Sequence, residues 1–268
     1  RGLVFDNITI YDKQNHQGTL EGIIYHSFFK NLMFGLNIKS KNMMLIDTKF
    51  ADNNLFYGTA YGSGSAQIYG NSENTNIAAN IEVEDKSKMN ISLDTKDIAS
   101  ENSYIKFRKD TLLSNDSTIE VSTNKLKADI QLSVKPNTDL TLILDQQWGD
   151  AMNIKGEGNI GISYETGKDL TLLGNYTIDE GSYNFTLQNI TRKKFIIGQG
   201  SNIKFQGSPN QSILDINAEY SLSASLLDLL DRSELTSENG KNFRTNTLVN
   251  CILHLTGSLG NPEISFGI

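Results

Sequence analysis

The sequence predicts an all-β protein, and three observations carry the prediction. Apolar and polar residues alternate along most of the chain. Proline is scarce (3) and glycine plentiful (22), as hairpins that turn on positive φ require. Helical spacing is confined to one short stretch, 223–235.

The alternation is densest from Leu170 to Tyr220. Leu170, Leu172, Tyr176 and Ile178 alternate with Thr171, Asn175 and Thr177. Tyr183, Phe185 and Leu187 alternate with Ser182, Asn184, Thr186 and Gln188. Ile203 and Phe205 follow, then Leu214, Ile216, Ala218 and Tyr220, each separated by polar residues. Successive strand side chains point to opposite faces, so this meander has one wet face and one apolar face. The same pattern recurs upstream in Leu3, Phe5, Ile8 and Ile10; in Ile23 and Tyr25; in Leu32, Phe34, Leu36 and Ile38; and in Phe56, Gly58 and Ala60. It continues in Ile77–Val83, Ala128–Val134, the series Leu140, Leu142, Leu144, and the series Val249, Cys251, Leu253, Leu255.

Turn signals separate these runs. Asp179-Glu180-Gly181 fits a three-residue hairpin loop, and Gly198-Gln199-Gly200 a tight turn. Gly62-Ser63-Gly64-Ser65 reads as a turn between Tyr61 and Ala66. Lys135-Pro136-Asn137, Gly207-Ser208-Pro209-Asn210 and Gly260-Asn261-Pro262 are loop signals. Leu226, Leu227 and Leu230 have the spacing of a short amphipathic helix over 223–235, and 96–103 suggests a second. The strands show no strict repeat, which argues against a solenoid of identical rungs. They look short for an outer-membrane barrel. Pattern alone also admits a two-sheet sandwich.

The net charge of −7 argues against a phosphate-backbone partner, and so against nucleic acid. One cysteine, Cys251, cannot build an internal disulfide framework. No apolar run approaches the ~20 residues of a membrane-spanning helix. The chain opens at Arg1 in mid-pattern, which suggests a piece of a longer protein.

No catalytic constellation emerges, so no enzyme activity, cofactor or metal is expected. His16, His26 and His254 lack metal-ligand spacing. Asp145 and Asp150 flank Trp148 and read as turn formers rather than a cation or acid–base pair. Arg192, Lys193 and Lys194 form the one basic cluster. A solvated hairpin tip explains it, and contact with an anionic headgroup is the alternative.

Longer motifs resemble a known family. The run Leu173-Gly174-Asn175-Tyr176-Thr177-Ile178, followed by Gly181-Ser182-Tyr183-Asn184-Phe185-Thr186-Leu187, is similar to the C-terminal domain of the TamB family. So are Gly200 to Pro209, Leu214 to Tyr220, and Leu255-Thr256-Gly257 with Pro262 to Phe266. Upstream, Phe56-Tyr57-Gly58-Thr59-Ala60, Ile68-Tyr69-Gly70 and Trp148-Gly149-Asp150 carry the likeness, most like versions from Bacteroidetes-type bacteria. Residues 170–268 are the most family-typical part of what reads as one elongated domain, 1–268.

The resemblance implies a long, curved, U-shaped sheet, the β-taco, with an apolar groove along its axis. It implies a periplasm-spanning phospholipid carrier of the AsmA-like group in a Gram-negative bacterium. Such a carrier is anchored in the inner membrane outside this chain and coupled to a TamA-type outer-membrane barrel. The groove would then be lined by Leu142, Leu170, Leu172, Tyr176, Ile178, Tyr183, Phe185, Leu187, Ile203, Phe205, Leu214, Ile216, Tyr220 and Leu253. Arg192, Lys193 and Lys194 would meet headgroups. About twenty strands at ~4.8 Å would give a groove of roughly 100 Å. Two other readings stay open: an outer-membrane protein assembly module that docks strands, and a surface adhesin or glycan-binding protein with a dry core.

Overall fold

The computed structural model describes residues 1–28, 30–54, 56–92, 124–147, 149–187, 191–225 and 246–268. These form a single 15-stranded sheet. Its first strands are β1 (Gly2–Tyr11), β2 (Gln17–Ser27), β3 (Lys30–Thr48), β4 (Phe56–Asn71), β5 (Asn74–Val83), β6 (Lys88–Ser92), β7 (Lys125–Val134) and β8 (Asp139–Asp145). Then come β9 (Asp150–Glu165), β10 (Thr171–Leu187), β11 (Thr191–Ile197), β12 (Asn202–Gly207), β13 (Ile213–Ala224), β14 (Thr247–Ser258) and β15 (Asn261–Gly267). Pairing is antiparallel except where β5 meets β7 and β6 meets β8.

Several short strands share one level of the stack. β10 pairs through Leu172–Thr177 with β12 and through Gly181–Leu187 with β11. β4 likewise pairs with β5 along one half and β6 along the other. The main path therefore has twelve levels, about 50 Å along the stack. This is half the length the sequence suggested, because the described residues form fewer strands than expected and three levels hold two strands end to end.

The sheet bends where those end-to-end strands meet. Residues 84–87, 135–138 and 198–201 join β5 to β6, β7 to β8 and β11 to β12. Each segment closes with an N–H from its fourth residue to the carbonyl of its first: Ser87 to Glu84, Thr138 to Lys135, Ser201 to Gly198. Each ends on a buried hydroxyl residue. Two of the hydroxyls stitch the corner to the adjacent strand in the same way. Ser87 Oγ accepts the Tyr61 N–H at 3.0 Å and faces the Tyr61 carbonyl at 3.3 Å. Ser201 Oγ accepts the Asn217 N–H at 3.1 Å and faces the Asn217 carbonyl at 3.4 Å. On β10 the corner is a single-residue bulge between Ile178 and Glu180. Ile178 donates to the Ser201 carbonyl there, at 2.7 Å.

Several expected turns therefore do not reverse the chain. Asp179-Glu180-Gly181 lies inside β10, and Gly62-Ser63-Gly64-Ser65 lies inside β4. Gly198-Gln199-Gly200 forms the tight turn and Lys135-Pro136-Asn137 the loop that the sequence predicts, each as a corner between strands of one level. In all of them glycine or a polar residue relaxes the backbone, but pairing to both neighbours keeps the chain on one level. The reversal at 208–212 forms as the sequence predicts, and the turn expected at Gly260-Asn261-Pro262 sits at Leu259–Gly260, with Asn261 and Pro262 already paired in β15. Ser223 and Ala224 close β13 in register with Leu248 and Thr247, so no helix starts there. The rest of that predicted helix, with Leu226, Leu227 and Leu230, and all of 96–103 lie outside the described residues. Among the described residues the one helical element is a 3-10 turn, Pro209–Gln211.

At the other end of the stack, the turn from β1 to β2 hangs on one carboxylate. Asp12 accepts the N–H groups of Gln14 (2.8 Å), His16 (2.9 Å) and Met44 (2.8 Å), and meets His16 Nδ1 at 2.7 Å. Desolvation pushes its pKa up, but these partners outweigh it and hold the carboxyl well below the usual range.

Two outcomes follow. Ser87→Ala or Ser201→Ala takes the acceptor from the Tyr61 or Asn217 N–H, while the carbonyls keep the Glu84 and Gly198 N–H groups, and should lower unfolding free energy by ~1–3 kcal/mol, whereas exposed Ser65→Ala should stay within ~0.5 kcal/mol; denaturant melts compare them. The Asp12 pKa is depressed by folding, so its stabilisation is complete above about pH 4 and is lost as pH falls toward the folded value. Asp12→Asn should flatten that acid dependence and speed hydrogen exchange at the Met44 amide.

Candidate apolar groove

Register fixes which side chains share the inner face. Tyr176 sits opposite Gly158 and Ile203, and Tyr183 opposite Met152 and Phe195. Following the pairings outward places Ile130 and Leu132 on β7, Ile77, Ala79 and Ile81 on β5, and Ile68 on β4 on the same side. Leu36 and Ile38 on β3, Leu20 and Ile24 on β2, and Leu3, Phe5, Ile8 and Ile10 on β1 complete it. The apolar face therefore runs through every level. On β4 it is nearly bare: Gly58, Ala60, Gly62, Gly64 and Ala66 face inward. Gly58 has φ +138°, and a Cβ there would run into the Lys88 carbonyl. The Ile23 and Tyr25 run points outward instead. Leu3 and Phe34 pair with Ile24 and fix that register.

The face changes character along the stack. In the first levels it is open to solvent: Leu3 is 50% exposed, Ile8 44% and Phe56 43%. Leu36, Ile38, Ile77, Ile81 and Leu132 are half-buried. From β8 onward it closes. Met152, Ile178, Ile216, Leu253 and Leu255 are 0% exposed and belong to one core cluster. Closure comes from curling. Phe266 on β15 packs 6.0 Å from Phe185 on β10 and 6.5 Å from Phe195 on β11.

The residues predicted to line a groove sit mostly in this closed half. Leu142, Tyr176, Ile178, Tyr183, Phe185, Ile203, Leu214, Ile216 and Leu253 are members of the cluster, and Phe205 and Tyr220 pack against it. Leu172 faces inward opposite Ile162, half-buried and apart from that cluster. Leu170 precedes β10 and is exposed. The side chain of Leu187 lies outside the described residues. The sequence reading passed over the open half because alternation reports which side a residue faces, not whether that side is covered.

The basic cluster is divided by the pleat. Lys193 is opposite Phe185 on the inner side, where its Nζ lies 4.9 Å from the Tyr220 ring centroid and 3.1 Å from the Tyr220 hydroxyl. Lys194, opposite Asn184, borders a polar furrow of about 620 Å³ on the outer face, lined also by Lys88, Asp139, Lys155 and Glu180. Those charges pair with one another, Lys155 with Glu180 at 2.9 Å and Lys88 with Asp139 at 3.6 Å. Arg192 lies near Asp150.

The polar groups serve structure. Asp150 accepts the Thr186 N–H at 2.8 Å, and burial raises its pKa. His16 packs edge-on to Tyr61, and His254 meets Asn217 at 2.5 Å. Trp148 lies outside the described residues. Among the described residues no three His, Cys, Asp or Glu side chains gather as a metal site, and no helix is long and apolar enough to cross a membrane.

The two halves should answer charge differently. Phe185→Arg buries a cation in a closed core and should cost several kcal/mol of stability. Leu36→Asp, on the open face, keeps its carboxylate in reach of water and should lower the melting temperature far less. Paired melting curves on the same protein read the difference.

Comparison with known proteins agrees with this architecture. The model of the TamB C-terminal domain family matches residues 6–267. No curated protein matches the chain. The chain belongs to the TamB family, envelope proteins of Gram-negative bacteria that work with TamA in the translocation and assembly module.

Proposed function

We propose that this domain is a non-enzymatic conduit for phospholipid, carrying acyl chains along its inner face toward the outer membrane. One observation carries the reading: a continuous apolar face whose first levels remain open to solvent. Each buried methylene contributes ~0.8 kcal/mol, so an acyl tail would bind there. On the open levels the inward side chains are apolar or small, so it would meet no large barrier to sliding there. The headgroup stays in water at the mouth. In this reading the chain sits in the periplasm, joined to the inner membrane through a segment outside this sequence, and delivers to a TamA-type barrel.

A second reading has one observation in its favour. Among the described residues β1 and β15 each pair on one side only, and such an edge can accept a strand from a client or from a barrel. Strand docking and lipid passage use different parts of the sheet and are compatible.

The test places a photo-crosslinking residue in the full-length protein at Leu36, on the inner face, or at Asn37, on the outer face. Phospholipid should be captured at Leu36 and not at Asn37. Equal capture at both, or none at either, rejects the conduit.

A further inference from the structure

We propose that β15 is a latch over the closed end of the groove. The inference rests on the conduit reading and adds where and how passage is controlled. β15 is four pairings away from β10, by way of β11, β13 and β14. In a flat sheet that separation is ~19 Å. Phe266 nevertheless lies 6.0 Å from Phe185, so β15 has folded back across the inner face. The rings that Phe266 packs against across the face, Phe185 and Phe195, are buried, while Phe266 itself is 53% exposed and Ile264 41%. β15 thus covers the core without being enclosed by it.

Its attachment is one-sided. Among the described residues β15 pairs only with β14. The turn that leads into it is fastened to the 208–212 loop. Ser258 Oγ donates to the Asn210 carbonyl at 2.5 Å, Gly260 N–H to the same carbonyl at 3.0 Å, and Leu259 N–H to the Ser212 carbonyl at 2.7 Å. The anchored turn is the hinge, and the end carrying Phe266 is the end that lifts. Lifting uncovers Phe185, Phe195 and Tyr220, with Lys193 at their rim. That is an aromatic floor with a cation beside it, suited to an acyl chain below an anionic headgroup.

The test locks the latch in the full-length protein. His254 and Ser265 are cross-strand partners on the exposed side of β14 and β15. H254C with S265C in a C251A background joins the two strands when oxidised. T256C with E263C, the next exposed-side pair, is a second lock should the first disturb folding, which a melting curve on the reduced form reports. Lipid photo-crosslinking is read at Phe34 in the open half and at Phe185 under β15. The expected result is equal capture at Phe34 in both redox states, with capture at Phe185 at least tenfold lower when oxidised and restored by reductant. Equal capture at Phe185 in both states, or none in either while Phe34 is labelled, overturns the latch and leaves the conduit standing. No capture at Phe34 sinks the conduit and the latch with it.

Discussion

The structure depends on keeping the inner face in phase. A slip of one residue in any strand turns its whole apolar set outward, and this sheet must avoid that while bending. It uses two devices. The four-residue corners insert an even number, so Val83 and Met89 face the same side, as do Val134 and Leu140, and Ile197 and Ile203. On β10, which passes its corner unbroken, a bulge does the opposite. On β10 the inward residues are Tyr176 and Ile178 before the corner and Tyr183 and Phe185 after it. One extra residue absorbs the turn, and the side chains still point inward.

These constraints explain what was legible in the sequence. Period two is a local property, and β5, β7, β8 and β14 could be read residue by residue. Whether glycine and polar residues reverse the chain or merely bend it is not local. Asp179-Glu180-Gly181 has hairpin chemistry, but β9 is paired along both sides of it. The outward Ile23 and Tyr25 tell the same story, since their side was decided by Ile24 pairing with Leu3 and Phe34. The distinction between groove and core was least legible. Phe5 and Phe185 sit in similar alternating runs, and only the curl that brings Phe266 back over β10 separates their environments.

That curl also divides the energetics. An open apolar face cannot contribute the burial that stabilises a closed core, at ~25 cal/mol per Å² of apolar area. The first levels must lean on ladder hydrogen bonds, on polar fastenings such as Asp12 to Met44, and on the level beside them. The closed half has its own core, with Ile178, Ile216 and Leu255 fully buried.

A sheet stacked in this way resembles a repeat array, in which each level is stabilised mainly by its neighbours. Order should then spread from the closed end toward β1, with local stability falling along the way. The gradient suits the proposed conduit. A face that must exchange contents cannot be sealed, and the elements that bind and release belong to the low-stability end. The strain of leaving isoleucine and leucine half in water is tolerated because the closed half holds the register for both. A substitution that loosens the core at Ile216 or Leu253 would therefore be felt in the open levels as well. A substitution at Leu3 or Ile8 would stay where it was made.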